Sequence, residues 1–580
     1  MSTLPTPPDA SLPSRPRSIN QFWMGACLFV GIFLIYSPTI VFDFVQWDDQ
    51  VNVVHNHLIN PPTWENLRKI WTTLFVGTYF PVTYSTWWFA AGAAQADTRD
   101  DLGASLNSYV FHLFNVVLHA ANAVLVWRIL VTLTRAPKAA LLGAAVFAVH
   151  PLRVEAVAWV TGLKDLLSGF FALSAILFQI TWVASVTSPT HRQALVNPPS
   201  SRTKGTRRIW LAVAGMVAYT FALLSKSTMV AAFPVAALLT IWLARRETRH
   251  VLWPLAGWLI CAIPLSLITS TGIMAKSLGD VWSPLWARPF IAFDTIAFYL
   301  YKTLLPVNLA FDYGRTPHLI HTTGQMWWTS AGILVLVTVL FMARRWFSLP
   351  LICLSLFVAG LLPALGLMPF QHQFFSTCAD RYTYLASLGA AWLVAGIFAR
   401  VRQRAAWGGM MVLAAVFIAL SVVQSQRWRD STTLFNYELS VNPRSWATYN
   451  NLAGMYCTEG RPYDAAQLSR RALELRPDYA AAYANLGLAE ALMGNTDAAI
   501  ESFRRSLSLD PHQSSVLANL AGAHGEKREY EKAVYYYEKA LEIEPEERTA
   551  RRLLPKARAS LAAAATQPTT LVPLVRRHAA

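Results

Sequence analysis

Long, nearly uncharged apolar runs fill residues 22–423 and constrain this chain more than any other feature. A helix that crosses a bilayer needs about 20 apolar residues. Segments of suitable length and composition lie at 22–41, 109–133, 138–159, 166–186, 208–224, 228–244, 251–270, 327–343, 348–368, 382–399 and 405–423. We therefore expect an all-α polytopic membrane bundle of about 11 spans over residues 21–424. Residues 1–20 and 561–580 are expected to be disordered tails.

The positive charge of the chain fits membrane topology better than nucleic-acid binding. The formal net charge is +16, yet charged residues make up only 14% of the chain, and the cations fall mostly in short loops between apolar runs. Lys and Arg in such loops favour the cytoplasmic side. This rule predicts a cytoplasmic N-terminus and an extracytoplasmic C-terminal third, provided that 289–305 is re-entrant or interfacial. No nucleic-acid partner is expected.

A repeat of fixed period occupies the C-terminal third. Asn451, Asn485 and Asn519 are spaced 34 residues apart, and the prolines keep the same spacing at Pro443, Pro477, Pro511 and Pro545. Thirty-four residues is the period of the tetratricopeptide repeat (TPR), a helix–turn–helix unit that stacks into a solenoid. Residues 427–560 are therefore predicted to form three full repeats after a leading capping helix. Such an array indicates binding of a protein or peptide.

Two adjacent carboxylates, Asp48 and Asp49, lie in the predicted first extracytoplasmic loop, 42–108. A pair of carboxylates at a membrane surface can act as general base or bind a divalent cation. The pair can equally cap a helix or remain solvated, and the local pattern favours this second interpretation. The scattered cysteines provide no zinc or disulfide framework.

The second predicted span carries polar side chains on one face. His112, Asn115, His119 and Asn122 follow helical spacing. Polar groups in a membrane helix usually face a bundle interior or a cavity, so His112, Asn115 and His119 are candidate cavity-lining residues. Interhelical hydrogen bonding is the alternative. The predicted outer surface also gathers several charged side chains, as a site for a phosphate-linked lipid would require: Arg153, Glu155, Lys164, Asp165, Lys226, Asp312, Arg315, Asp380 and Arg381.

The order of these motifs resembles one family. Along the chain come the Asp pair, H-x-x-N-x-x-x-H from His112, H-P-x-x-V-E-x-V-x-W-V-x-G-x-K-D from His150, S-K at Ser225, R-Y-x-Y-L from Arg381, and then TPRs. This order resembles the transmembrane-and-TPR-containing protein O-mannosyltransferases and their bacterial relatives. Two departures are Ser227, where the family often has an acidic residue, and Lys164, where Arg is common.

The resemblance implies a GT-C fold and transfer of a sugar, expected to be mannose, from a polyprenyl-phosphate carrier to a protein hydroxyl. It implies that Asp48 or Asp49 is the catalytic base, with a possible divalent cation at the pair. The implied donor and phosphate site consists of His150, Arg153, Glu155, Lys164, Lys226 and Arg381. The TPR groove would present the acceptor protein or peptide. The active face would be periplasmic in a bacterial inner membrane or lumenal in the endoplasmic reticulum.

Two other functions remain open from the sequence. A non-enzymatic, membrane-anchored TPR scaffold would explain residues 427–560 but leave the polar stripe and the HPxxVE run unexplained. A transporter would explain buried His and Asn residues, but residues 22–423 contain no convincing internal repeat.

Overall fold

The computed structural model describes residues 18–75, 77–95, 106–187, 201–244, 251–274, 282–345 and 347–566. These residues form helices, joined by turns and by two isolated β-bridges. The predicted all-α class is therefore confirmed. Three of the basic segments assigned to the cytoplasmic side, Arg15–Arg17, residues 191–200 and the turn at 245–250, lie outside the described residues. Most of both predicted tails lies outside them too, but the last helix continues to Thr566, past the predicted end at 560.

The chain divides into two compact units, Met1–Tyr437 and Glu438–Ala580. The first unit contains the apolar helices. They are Ser18–Tyr36, Trp64–Thr72, Pro81–Ala93, Ser108–Thr134, Pro137–Val149, Val154–Ala158, Leu163–Thr187, Ser201–Ser225, Ala232–Ala244, Trp253–Met274, Arg288–Leu304, Pro317–Thr322, Gln325–Met342, Ser348–Leu361, Thr383–Phe398 and Arg404–Ser425. The division passes through the next helix, Ser431–Val441.

Each of the eleven predicted spans is helical. Among the described residues, seven helices are long and apolar enough to cross a membrane. They are Asn20–Val41, Ser108–Thr134, Val160–Thr187, Thr206–Ser225, Ser227–Ala244, Gln325–Met342 and Arg404–Trp428. The predicted spans at 251–270 and 348–368 correspond to the shorter apolar helical stretches Trp253–Ile268 and Ser348–Ala364. The predicted span at 382–399 corresponds to the 16-residue helix Thr383–Phe398.

The span predicted at 138–159 is broken. Its two parts, Pro137–Val149 and Pro151–Ala158, meet at an angle of 58°. The break falls at His150, whose backbone is extended (φ −68°, ψ 132°). A proline disfavours helical geometry in the residue before it, so Pro151 accounts for the bend.

The segment predicted to be re-entrant or interfacial, 289–305, forms the helix Arg288–Leu304. One face of this helix is buried and includes two charged side chains, Asp294 and Lys302. It is not among the described helices that pass the length and polarity test for a span. Whether it enters a bilayer remains a prediction.

The second unit consists of helix pairs with the predicted period. They are Trp446–Thr458 with Pro462–Leu475, Ala480–Leu492 with Thr496–Leu509, and Ser514–Glu526 with Tyr530–Ile543, followed by Arg548–Thr566. The second and third pairs bury small residues of the first helix against an aromatic residue of the second helix, Phe503 and Tyr537 respectively, whereas the first pair has Ser469 at that position. A Cβ built on Gly487 would lie 2.8 Å from the Phe503 ring, which explains the glycine. Asn485 links neighbouring repeats, because its Nδ2 donates to the Asn450 carbonyl at 3.0 Å.

Replacing the buried ring of the second repeat tests this packing. We expect Phe503→Ala to lower the free energy of unfolding of the repeat unit by about 3–5 kcal/mol, because the side chain is fully buried and leaves a cavity. Urea unfolding of the purified full-length chain, followed by circular dichroism, measures this. Tyr463→Ala is the control, since that ring is 76% exposed and its loss should cost less than about 0.5 kcal/mol. Equal midpoints for the two variants would contradict the assignment of Phe503 to the core.

Candidate active site

The adjacent carboxylates Asp48 and Asp49 have different surroundings. Asp49 is fully buried and Asp48 is partly exposed. Asp49 Oδ2 accepts the Val45 N–H at 3.0 Å, and its Oδ1 accepts the Thr161 N–H at 3.0 Å and the Thr161 hydroxyl at 2.6 Å. The Asp48 carboxylate accepts no hydrogen bond from a described residue. Of the two, Asp48 is therefore the one free to contact a substrate.

The loop that carries Asp48 is fixed from several directions. Ser108 donates its hydroxyl to the Phe42 carbonyl at 2.7 Å. The segment after the last span also holds the loop, since the Asp43 N–H donates to the Arg429 carbonyl at 3.0 Å and the Gln46 N–H to the Ser431 hydroxyl at 2.9 Å. The last two of these bonds join residues more than 300 positions apart in the sequence. Sequence patterns gave no sign of them.

Lys164 lies beside Asp48. Of the neighbouring carboxylates, Asp48 attracts the Lys164 ammonium most strongly. The ammonium also lies 5.6 Å from the centre of the Trp87 ring. Within the part of the chain that the structure describes, no carboxylate comes within ion-pair distance of Lys164. Among the described residues, Lys164 is thus a partly exposed cation without an ion-pair partner, and Asp48 is a nearby carboxylate without a hydrogen-bond donor. Lys164 can therefore bind an anion while Asp48 accepts a proton.

Two buried ion pairs lie near Lys164. Lys226 Nζ lies 2.6 Å from Asp165 Oδ1. The Arg381 guanidinium pairs with Glu155, which also accepts the Arg381 N–H at 2.8 Å. Both cations lie over the Tyr382 ring, at 5.6 and 5.0 Å from its centre. Lys226, Glu155 and Arg381 are thus brought together as predicted, but their charges are already neutralised.

A small pocket adjoins these ion pairs. It is lined by Asp165, Arg381, Tyr382, Tyr384, Leu385, Thr228, Met229, Gly360, Pro363 and Ala364, and it has a volume of about 20 Å³. Such a space admits about one water molecule. A hexose would need the surrounding side chains to move.

His150 and Arg153 form no hydrogen bond or ion pair with Asp48. His150 Nδ1 accepts the Leu152 N–H, and its Nε2 lies 3.0 Å from the Thr303 carbonyl. Arg153 is fully buried and donates to Thr383 and Ser387. Both ring nitrogens of His150 are committed to main-chain partners, and Arg153 lies in the bundle interior. The expectation that these two residues line a donor site is therefore not met by this geometry.

The polar stripe of the second span holds helices together. Asn115 donates to the Trp159 carbonyl at 2.6 Å. His119 lies 2.9 Å from the Tyr384 hydroxyl and 3.0 Å from the Ala148 carbonyl. Asn122 also bonds to the Tyr384 hydroxyl, at 2.9 Å. This is the interhelical bonding considered as the alternative, and it corrects the cavity-lining assignment for Asn115 and His119.

His112 is buried as well. Its ring packs edge-on against Phe42, with 6.3 Å between ring centres. It therefore contacts the start of the loop that carries Asp48 and Asp49 rather than an open cavity.

A divalent cation at the Asp48–Asp49 pair does not fit the arrangement. Both oxygens of Asp49 already accept hydrogen bonds from the protein. Among the described residues no group of three or more His, Cys, Asp or Glu side chains is placed to hold a metal ion. Ca²⁺ needs several oxygen ligands, and Mg²⁺ is bound by one or two carboxylates together with waters and phosphate oxygens. Asp49 has no free oxygen to offer either ion, so no step is assigned to a metal at the pair.

Further residues at this position were not predicted from the sequence. Thr161 occupies an unspecified place within the H-P-x-x-V-E run, and Tyr313 donates its hydroxyl to Asp380 at 2.6 Å. Burial and the nearby Glu155 charge raise the pKa of Asp380 to about 8. A threonine or tyrosine at such places gives no local signal, because its role depends on a partner distant in the sequence.

The buried Arg381–Glu155 ion pair leads to a prediction about stability. We expect Arg381→Ala to lower the free energy of unfolding by about 3–5 kcal/mol, because Glu155 is left buried without its cation. Adding Glu155→Gln should recover part of this loss. Unfolding in mixed micelles measures both variants. Lys69→Ala is the control, since the Lys69–Glu65 pair is exposed and should contribute less than about 1 kcal/mol. A loss no larger than that of the control would contradict the burial of this pair.

The raised pKa of Asp49 leads to a prediction about how the stability of the protein depends on pH. Burial raises the pKa of its carboxyl from 3.8 to about 7, although three donors partly oppose this shift. A raised folded-state pKa gives stability that is present below pH 4 and is lost as the pH rises towards 7, at up to about 1.4 kcal/mol per pH unit. The melting temperature of the wild type relative to Asp49→Asn should therefore fall between pH 5 and 7 and then level off. A constant difference would mean that Asp49 does not titrate in this range.

Comparison with known proteins supports the two-part organisation. Family models for the tetratricopeptide repeat match residues 447–512 and 485–548. The protein O-mannosyl-transferase F38B6.6 of Caenorhabditis elegans is 23% identical over 484 residues, which cover 79% of this chain and 63% of that protein. The human protein O-mannosyl-transferase TMTC4 is 31% identical over 202 residues, which cover 30% of this chain and 25% of that protein. The chain thus spans less than two thirds of the length of each relative.

Among solved structures, the apo oligosaccharyltransferase of Archaeoglobus fulgidus matches with a TM-score of 0.36 and 13% identity, over 71% of this chain and 57% of that one. This score is too low to support an argument. The sequence relatives and the repeat matches nevertheless agree with the motif order. The resemblance to the transmembrane-and-TPR-containing O-mannosyltransferase family is therefore confirmed, and the C-terminal helices are tetratricopeptide repeats.

Proposed function

We propose that this protein is a membrane glycosyltransferase that transfers a sugar from a polyprenyl-phosphate carrier to a Ser or Thr hydroxyl of an acceptor protein. The relatives named protein O-mannosyl-transferases support a glycosyltransferase and make mannose the first sugar to test. The apolar helices and the repeat unit provide the membrane environment and the protein-binding surface that such a reaction needs.

One observation carries the proposal: Asp48 is a partly exposed carboxylate without a described hydrogen-bond donor, beside a lysine without an ion-pair partner. The neighbouring carboxylates Asp49, Glu155, Asp165 and Asp380 all have partners within the protein. Asp48 is therefore assigned as general base and Lys164 as the first contact for the carrier phosphate. Asp49 keeps the loop in place.

In the proposed reaction Asp48 takes the proton of the acceptor hydroxyl. The hydroxyl oxygen forms a bond to the anomeric carbon, and the bond from that carbon to the phosphate oxygen breaks. The electron pair of the broken bond leaves with the polyprenyl phosphate, whose charge Lys164 offsets. Attack from the face opposite the phosphate inverts the anomeric carbon.

Lys226 and Arg381 are proposed to bind the donor only when their ion pairs with carboxylates open or are shared. Each is paired with a carboxylate, so a phosphate can reach it only by sharing or replacing that partner. The pocket beside them holds about one water. Donor binding is therefore proposed to open this region, with Arg381 able to form two parallel bonds to phosphate and the lysines acting as point charges.

The TPR unit is proposed to bind the acceptor protein, and the reaction to take place on the extracytoplasmic side of the membrane. This orientation follows from the distribution of basic loops in the sequence. Purified protein reconstituted in lipid, with labelled polyprenyl-phosphate mannose, glucose or N-acetylglucosamine and secreted proteins as acceptors, tests the activity and the sugar. Absence of transfer with every donor by folded protein would instead favour the TPR scaffold.

The two aspartates should behave differently in this assay. We expect Asp48→Asn to lower the transfer rate at least about 100-fold without lowering the melting temperature, because it removes a general base that makes no internal bond. Asp49→Asn should act on the loop and so change stability as well as rate. A folded Asp48→Asn variant with full activity would rule out Asp48 as the base.

A further inference from the structure

The segment 42–46, which leads to Asp48, has no regular secondary structure. It follows the 3₁₀ turn Ser37–Val41, and its first residue, Phe42, is extended (φ −80°, ψ 154°). Without a helical hydrogen-bond ladder, its conformation depends on individual bonds to other elements. Asp49 makes the most buried of these, because its carboxylate joins the Val45 N–H to Thr161.

Thr161 comes from a tightly packed part of the bundle. It occupies the 3₁₀ turn Val160–Gly162, between the helices Val154–Ala158 and Leu163–Thr187. The turn leaves no space for a side chain at Gly162, where a Cβ would lie 2.3 Å from the Ala156 carbonyl oxygen. Thr161 is itself 2% exposed. Its hydroxyl is therefore held in a fixed place, three residues before Lys164 at the start of the same span.

We propose that Thr161 is a positioning residue: its hydroxyl, acting through Asp49, fixes the loop that carries Asp48 beside Lys164. This inference rests on the proposed function, because it makes Thr161 act on the rate of transfer rather than on a substrate directly. The Thr161 turn carries both ends of the arrangement, since it anchors Asp49 and begins the helix of Lys164. The Thr161 hydroxyl bond therefore contributes directly to the distance between the base and the phosphate-binding cation.

The hydroxyl can be removed without changing the shape of the side chain. Thr161→Val keeps the branched side chain and the N–H bond to Asp49 Oδ1, and it removes only the 2.6 Å hydroxyl bond. Thr161→Ser keeps the hydroxyl. Thr295→Val is a matched control, because Thr295 is equally buried and its hydroxyl bonds the Ile291 carbonyl at 2.8 Å, within its own helix.

The experiment uses the full-length protein in lipid, with the donor and acceptor that the wild type accepts. We expect Thr161→Val to lower kcat 10- to 100-fold while KM for the donor changes less than threefold, and to speed hydrogen exchange at the Val45 amide at least tenfold. Thr161→Ser should restore both quantities to within about threefold of wild type. Thr295→Val should leave both unchanged.

Several outcomes would overturn the proposal. Unchanged kcat in Thr161→Val, an equal defect in Thr161→Ser, or unchanged exchange at Val45 would each do so. Where Thr161→Val does not fold, Thr161→Ala, which adds no bulk, takes its place in the same measurements. A wild type without transferase activity would reject the proposed function, while the exchange at Val45 would still decide whether the hydroxyl holds the loop.

Discussion

The cost of burying charge away from water is the constraint on which the membrane unit depends. A buried ionised group is tolerated only when a partner from the protein compensates its lost hydration. Asp49, Glu155, Asp165 and Asp380 are all buried, and each finds a partner on a segment distant in the sequence. These pairings connect the first loop, the broken span and the turns before later helices. These pairings therefore help to fix the positions of the polar residues, in addition to the apolar packing around them.

The cost of burying charge also distinguishes the two charged groups, Asp48 and Lys164, that have no close partner among the described residues. Asp48 and Lys164 are partly exposed and, within the part of the chain that the structure describes, lack the close partners that their neighbours in sequence have. Asp49 and Asp165, one residue away in each case, are buried and bonded. One member of each adjacent pair is bonded within the fold, and the other is left partly exposed. This division is what the proposed roles of Asp48 as base and Lys164 as phosphate-binding cation require.

The repeat unit follows a simpler rule, because its stability comes from apolar contacts between helices that are near in sequence. Gly487 packs against Phe503 within the second repeat, and Asn485 bonds to Asn450 of the repeat before it. Such contacts can be predicted from spacing alone. The first repeat has Ser469 where the second has Phe503, and that serine is buried without the volume of a ring. The period predicts the position of each contact, while the residue type sets its strength.

The sequence by itself determined the all-α class, the apolar segments and the TPR array, because these depend on composition and on periodicity within short stretches. It also brought together Glu155, Lys226 and Arg381 as neighbours. Only the tertiary structure decided that Asp49 is buried while Asp48 is not, that Asn115 and His119 join helices, and that His150 and Arg153 lie away from Asp48. It also decided that the span predicted at 138–159 breaks at His150. The physical reason is that a polar side chain acquires its role from its partners, and here those partners lie as far as 385 residues away.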